Sequence, residues 1–125
     1  MEVRESAEDY LETILLLTKK TGEVRSINIV EEMGFSKPSV SIAMKKLRTK
    51  GLIEMDNDGY ITLTDEGMQQ ASTVYDRHAT LYDWLISIGV GKKQAAKDAC
   101  RMEHVISEET FRKIKEINIS ASAAK

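Results

Sequence analysis

The stretch Ser36-Lys37-Pro38-Ser39-Val40-Ser41-Ile42-Ala43-Met44-Lys45-Lys46-Leu47-Arg48-Thr49-Lys50-Gly51 decides the fold. Ser36 is an N-cap candidate, and Pro38 suits a first helical turn, where a missing N–H costs nothing. Val40, Met44 and Leu47 follow at steps of four and three, which puts them on one buried side of a helix running to about Lys50. Gly51 ends it. Immediately upstream, Arg25 to Met33 reads as a short helix with Ser26 or Asn28 as cap, Ile27, Ile29, Val30 and Met33 apolar, and Gly34 as its stop. Two short helices joined across a glycine form a helix-turn-helix, whose second helix is the reader. Downstream, Leu52-Ile53-Glu54-Met55 and Tyr60-Ile61-Thr62-Leu63-Thr64 flank Asp56-Asn57-Asp58-Gly59, an alternating pattern around a turn that predicts a β-hairpin. A hairpin directly after a reader helix makes a winged helix. Its tip carries Asp56 and Asp58, which would repel phosphates.

Around this unit lie more helices. Residues 5 to about 19 carry Tyr10, Ile14 and Leu17 on one stripe, widened by Leu11, Leu15 and Leu16, with Ser6 as N-cap and Gly22 as C-cap. Thr64-Asp65-Glu66-Gly67 opens a long helix to about Ile88, with Ala71, Val74 or Tyr75, His78, Leu81 or Tyr82, and Leu85 along one side. Trp84, Ile86 and Ile88 add more apolar surface than one helix needs, which points to a partner subunit. A turn at Ile88-Gly89-Val90-Gly91 precedes a helix from Lys92 to about Val105. Ser107 caps a last helix through Ile117, and the Ser/Ala-rich remainder reads as frayed. The fold class is therefore mostly α: a winged helix-turn-helix with a small β-hairpin wing over residues 1–64, then a helical dimerisation domain over residues 65–125.

Totals limit the function. With 125 residues, 42% hydrophobic and 30% charged, the chain is a folded globular protein. No apolar run is long enough for a bilayer, and the acidic, polar start lacks a signal-peptide pattern. One cysteine precludes an internal disulfide and suits a reducing cytoplasm. The net charge of −2 argues against a general nucleic-acid coat, since neither half is basic. Yet Lys37, Lys45, Lys46, Arg48 and Lys50 stand between Ser36 and Lys50 with no acid among them. Such a local basic stripe is the footprint of a compact DNA-reading surface, or only a solvated helix face.

Three further features carry metal-binding side chains. Cys100-Arg101-Met102-Glu103-His104 presents a thiol, a carboxylate and an imidazole at i, i+3 and i+4, on one face of a helix. Asp9 and Glu12 share a face of the first helix, and His78 lies within an apolar stripe. Each has a plain structural alternative: a buried thiol beside a surface pair, acids answering a helix dipole, and a satisfied core histidine.

Together, Glu8-Asp9-Tyr10-Leu11-Glu12, Ser36-Lys37-Pro38-Ser39-Val40-Ser41, Leu63-Thr64-Asp65-Glu66-Gly67, Arg77-His78 and Cys100 to Ser107 resemble the diphtheria toxin repressor and manganese transport regulator family of metal-activated repressors. The likeness runs through nearly the whole chain, in order. It implies a DNA-binding transcriptional repressor, not an enzyme, with metal as corepressor. By it, Asp9, Glu12, His78, Cys100, Glu103 and His104 are metal ligands. Asp9 and Glu12 match the manganese branch, His78, Glu103 and His104 match the whole family, and Cys100 matches the iron branch. Two positions of the iron-branch ancillary site are Tyr82 and Ala96 here, so that site is not expected. Nor is the SH3-like third domain of the iron-responsive members.

The mixed donor set suits Fe²⁺ or Mn²⁺, while the thiolate also admits Zn²⁺, Co²⁺ or Ni²⁺. Ser36, Lys37, Pro38, Ser39 and Ser41 are candidates for base-edge and nearby phosphate contacts, Pro38 against a thymine methyl. Lys45, Lys46 and Arg48 are candidates for phosphate. The expected partners are a palindromic double-stranded operator, read as half-sites about one helical turn apart, and a second copy of the chain; neither a membrane nor an organic substrate is expected. Two alternatives stay open. One is a metal-independent winged-helix regulator of the multiple-antibiotic-resistance type, which senses a small organic ligand. The other is a metalloenzyme or metal-storage protein, for which no nucleophile, phosphate loop or acid/base pair is evident.

Overall fold

The computed structural model describes the backbone of residues 7–123 and the side chains of residues 7–117. Its elements are α1 (Ala7–Thr21), α2 (Ser26–Met33), α3 (Lys37–Thr49), β1 (Ile53–Met55), β2 (Ile61–Leu63), α4 (Asp65–Ser87), α5 (Lys92–Met102) and α6 (Glu108–Ala123). Two compact units divide inside α4, between Thr73 and Val74.

In the first unit, α1 packs on α2, α3 and β2. Its buried side is Tyr10, Leu11, Ile14, Leu15 and Leu17, as the 3.6-residue period dictates, while Leu16 is exposed. These side chains close a core with Val24, Ile29, Val40, Met44, Leu47, Leu52, Ile53 and Ile61. The N-cap expected at Ser6 lies outside the described residues.

The α2 cap is a correction. Neither Ser26 nor Asn28 holds the N-cap position; Arg25 does, in extended backbone. Asn28 performs the reciprocal half of a capping box, its side-chain carbonyl accepting from the Arg25 N–H at 2.8 Å. Ser36 caps α3 as expected, accepting from the Ser39 N–H at 3.2 Å.

The hairpin pairs Ile53 with Leu63, Glu54 with Thr62 and Met55 with Ile61, antiparallel. Ile61 also donates to the Val24 carbonyl at 2.7 Å, which ties the hairpin to the segment before α2. The Arg25 guanidinium lies 4.4 Å from the Tyr60 ring centre. At the turn, the Asp56 carboxylate accepts from the Asp58 and Tyr60 N–H groups, both at 2.9 Å, and Gly59 takes a φ of 86°. Asp56 thus has a local structural task in closing the wing.

Thr64 joins wing to helix. Its hydroxyl accepts from the Gly67 N–H at 3.1 Å and donates to the Gly51 carbonyl at 2.7 Å. Gly67 is buried against the Leu52 backbone, and a Cβ there would overlap the Leu52 carbonyl oxygen. A rigid backbone atom cannot yield as a side chain would. Gly67→Ala is therefore expected to destabilise the first unit by about 1–3 kcal/mol, the usual cost of overpacking. Thermal unfolding followed by circular dichroism checks this, and an unchanged melting temperature would refute the close approach.

In the second unit, Leu81 and Leu85 of α4, Ala95 and Ala99 of α5, and Phe111 and Ile114 of α6 form a core. Trp84 is a second correction: it packs against this core rather than adding to the unpartnered surface. Ile86 and Ile88 do remain exposed, joined by Tyr75, Val105 and Ile117. The last helix continues to Ala123 rather than ending near Ile117, since no Gly or Pro interrupts residues 118–123.

Candidate metal centre

Within the second unit, α4 carries His78 and the chain leaving α5 carries Glu103 and His104. Here the structure differs from one continuous helical face. The α-helix stops at Met102; Glu103 is its C-cap, and residues 103–106 form a tight turn. The Glu103 N–H still reaches the Ala99 carbonyl at 3.1 Å, but His104 bonds back only three residues, to Arg101 at 3.3 Å. Val105 and Ile106 both donate to the Met102 carbonyl at 3.1 Å. This tightening rotates His104 away from the direction an undisturbed helix would give it.

Arg77 pins the turn. Its guanidinium Nη2 donates to the Ile106 carbonyl at 3.1 Å, and its charged end lies 5.2 Å from the Phe111 ring centre. The residue next to His78 thus holds the segment carrying Glu103 and His104, with a ring of α6 as its platform. Arg77 is not among the site residues expected from the sequence. Its only local signal is a cation placed beside a histidine.

The Glu103 side chain is 1% exposed. His78 Nδ1 lies 3.4 Å from one of its oxygens, and His104 Nε2 lies 3.3 Å from the other. Neither oxygen accepts a hydrogen bond from a described residue. A buried carboxylate without donors is costly. Two imidazole nitrogens flanking it, each with a lone pair when neutral, make a donor set that a divalent cation satisfies. The residues present fit a metal.

Cys100 lies one turn before Glu103, on the last part of α5, and is half-buried. Among the described residues it joins no cluster of three potential ligands lying within 4.8 Å of one another. In the first unit, Asp9 is buried and Glu12 half-buried, three residues apart on α1. That spacing places the two carboxylates about one turn apart on the same side.

The DNA-contact candidates belong to the first unit. Lys37, Pro38, Ser41, Lys45, Lys46 and Arg48 are exposed on α3. Ser36 and Ser39 are partly committed to each other, their hydroxyls 3.1 Å apart at the cap. Between the cations stands Ile42, 57% exposed and not among the residues expected from the sequence to meet DNA. The available signal was its place opposite Val40, Met44 and Leu47.

No described helix is long and apolar enough to cross a membrane. A family model described as the iron-dependent repressor N-terminal DNA-binding domain matches residues 2–62. A second, the iron-dependent repressor metal-binding and dimerisation domain, matches residues 64–118. The chain is 39% identical over 108 residues to the transcriptional regulator MntR of Escherichia coli, covering 86% of this chain and 70% of that protein. It is 30% identical over 114 residues to the iron-dependent repressor IdeR of Mycobacterium tuberculosis, covering 90% of this chain and 50% of that one. Among solved structures, a manganese-dependent transcriptional repressor in complex with manganese superposes with a TM-score of 0.82 at 27% identity, over 90% of this chain and 52% of the other. IdeR of T. acidophilum superposes with a TM-score of 0.78 at 26% identity, over 93% and 54%. The chain spans about half the length of these solved relatives.

Proposed function

The chain belongs to the iron-dependent repressor family, and we propose that it represses transcription by binding operator DNA as a homodimer when a divalent metal ion is bound. Residues 2–62 match the DNA-binding domain of that family and residues 64–118 its metal-binding and dimerisation domain. It is a regulator and not an enzyme.

The observation that carries the metal requirement is Glu103, buried, without hydrogen-bond donors, between two imidazoles. His78, Glu103 and His104 would hold the ion, with Cys100, Asp9 and Glu12 completing the set. Fe²⁺ or Mn²⁺ is the ion this mixture of oxygen, nitrogen and sulfur donors favours, and Zn²⁺, Co²⁺ and Ni²⁺ are admissible. When bound, the metal supplies positive charge that neutralises gathered carboxylates. An ion that stabilises the DNA-binding form of the protein makes operator affinity depend on its presence. Pro38, Ser41 and the flanking Lys37, with Ser36 and Ser39 at the cap, meet base edges and nearby phosphates; Lys45, Lys46 and Arg48 meet phosphate. A homodimer reads a palindrome with half-sites about one helical turn apart. Exposed Ile86, Ile88 and Val105 favour a self-association face in the dimerisation domain.

The test is selection of duplexes from a random library at fixed salt, with Mn²⁺ or, anaerobically, Fe²⁺, followed by titration of the selected duplex. Removing metal with a chelator is expected to weaken binding at least about tenfold, which is a modest coupling between two sites. Equally tight binding in chelator would sink the corepressor role.

A further inference from the structure

We propose that Ile42 is a specificity-determining residue of the reader helix, recognising the C5 methyl group of a thymine in the major groove. The inference rests on the DNA-binding reading above and adds a residue to it. Helix α3 already buries its apolar side, with Val40, Met44 and Leu47 almost fully enclosed. Ile42 lies on the opposite side, 57% exposed, so core packing does not account for it. A lone exposed isoleucine is ordinary on a protein surface. This one stands at the centre of the outward face of the helix that must enter the groove, one turn beyond Pro38.

Its surroundings name the occupant. With Lys45, Lys46, Thr49 and Lys50 it lines a shallow depression of about 450 Å³. No acid lies between Ser36 and Lys50. The Thr49 hydroxyl donates to the Lys45 carbonyl at 2.9 Å, which leaves the apolar centre to Ile42. An apolar contact ringed by lysines fits a polyanion that also offers an apolar group, and duplex DNA offers one in the major groove: the thymine methyl. Lysine ammonium groups reach phosphate at any sequence, whereas an isoleucine gains only where a methyl meets it. The cations therefore supply affinity and Ile42 supplies selection.

The full chain, loaded with Mn²⁺, would first select duplexes from a random library. Each thymine of the selected sequence would then be replaced by uracil, which deletes only the methyl. Wild-type protein is expected to lose about three- to tenfold in affinity at one thymine per half-site, the worth of one buried methyl contact. Ile42→Ala is expected to bind the thymine and uracil duplexes equally. Ile42→Gln is expected to shift the preferred base at that position toward adenine, which an amide can bond twice. Both variants change an exposed side chain and leave the core intact. If no thymine shows a methyl effect that disappears in Ile42→Ala, the assignment is wrong. It is equally wrong if Ile42→Ala alters oligomeric state in sedimentation while keeping the methyl effect, since the face would then meet protein. Failure of the wild type to enrich any duplex with metal would overturn the DNA-binding reading itself, a result separate from either of these.

Discussion

Glu103→Gln is expected to abolish metal-dependent operator binding while leaving the apoprotein folded. The two side chains have nearly the same shape, so no cavity opens and no neighbour is displaced. What changes is the charge and one acceptor oxygen, at a side chain that is 1% exposed. In the apoprotein that charge is an expense, because both oxygens are buried without hydrogen-bond donors. An amide can donate to His78 or His104, so the melting temperature of the apo form should move by only a few degrees. The loaded form is different. Removing a residue that merely orients a ligand lowers metal affinity by about 10- to 100-fold, so removing a charged ligand should exceed about 100-fold. Calorimetric titration with Mn²⁺ and Co²⁺, alongside thermal unfolding without metal, separates the two effects. A variant that needs no more metal than wild type for DNA binding would show that Glu103 serves packing alone.

Much of the fold is legible in the sequence because it is local. Val40, Met44 and Leu47 repeat at the helical period, and the alternation around Asp56-Asn57-Asp58-Gly59 closes on itself, so both elements follow from neighbours a few residues apart. The Ser36 and Ser107 caps are equally local, each accepting from the N–H three residues on. The discrepancies have a common cause. Nothing in Met102-Glu103-His104-Val105-Ile106 breaks a helix by composition, and the turn that ends α5 is held by Arg77, from a different helix. Arg25 takes a cap position its side chain does not favour because Asn28 supplies the acceptor. Trp84 looks surplus on α4 until Val90, Met102 and Ile106 pack with it against the second core.

The candidate site divides along the same line. Cys100, Glu103 and His104 are close in sequence and form a visible pattern, but a triple of that kind is common by chance. The pairing of His78 with Glu103 joins α4 to the turn after α5, and periodicity cannot supply it. Only the family resemblance links the two in the sequence. Ile42 is hard to read from sequence for the opposite reason: an apolar residue in a helix looks like core, and only burial shows which one the core does not use.

Cys100→Glu is expected to move metal preference toward Mn²⁺. Cys100 is half-buried and one turn from Glu103, near enough in the chain for its side chain to reach an ion that Glu103 and His104 would hold. A thiolate is a soft donor that favours Fe²⁺, Co²⁺ and Zn²⁺, whereas a carboxylate suits the harder Mn²⁺. Mn²⁺ stands lowest in the intrinsic affinity order, so a protein gains manganese selectivity mainly by withholding what its competitors prefer. Exchanging sulfur for oxygen does that at a single position. The ratio of Mn²⁺ to Co²⁺ dissociation constants, measured anaerobically by competition with a fluorescent chelator, should fall by at least about tenfold, which corresponds to about 1.4 kcal/mol of differential binding. A second readout is independent of affinity. The Co²⁺-loaded wild type should show near-ultraviolet sulfur-to-metal charge transfer that Cys100→Ser lacks. If that band is absent in the wild type and the ratio is unchanged in Cys100→Glu, the thiol is a half-buried neighbour of the centre and does not set its selectivity.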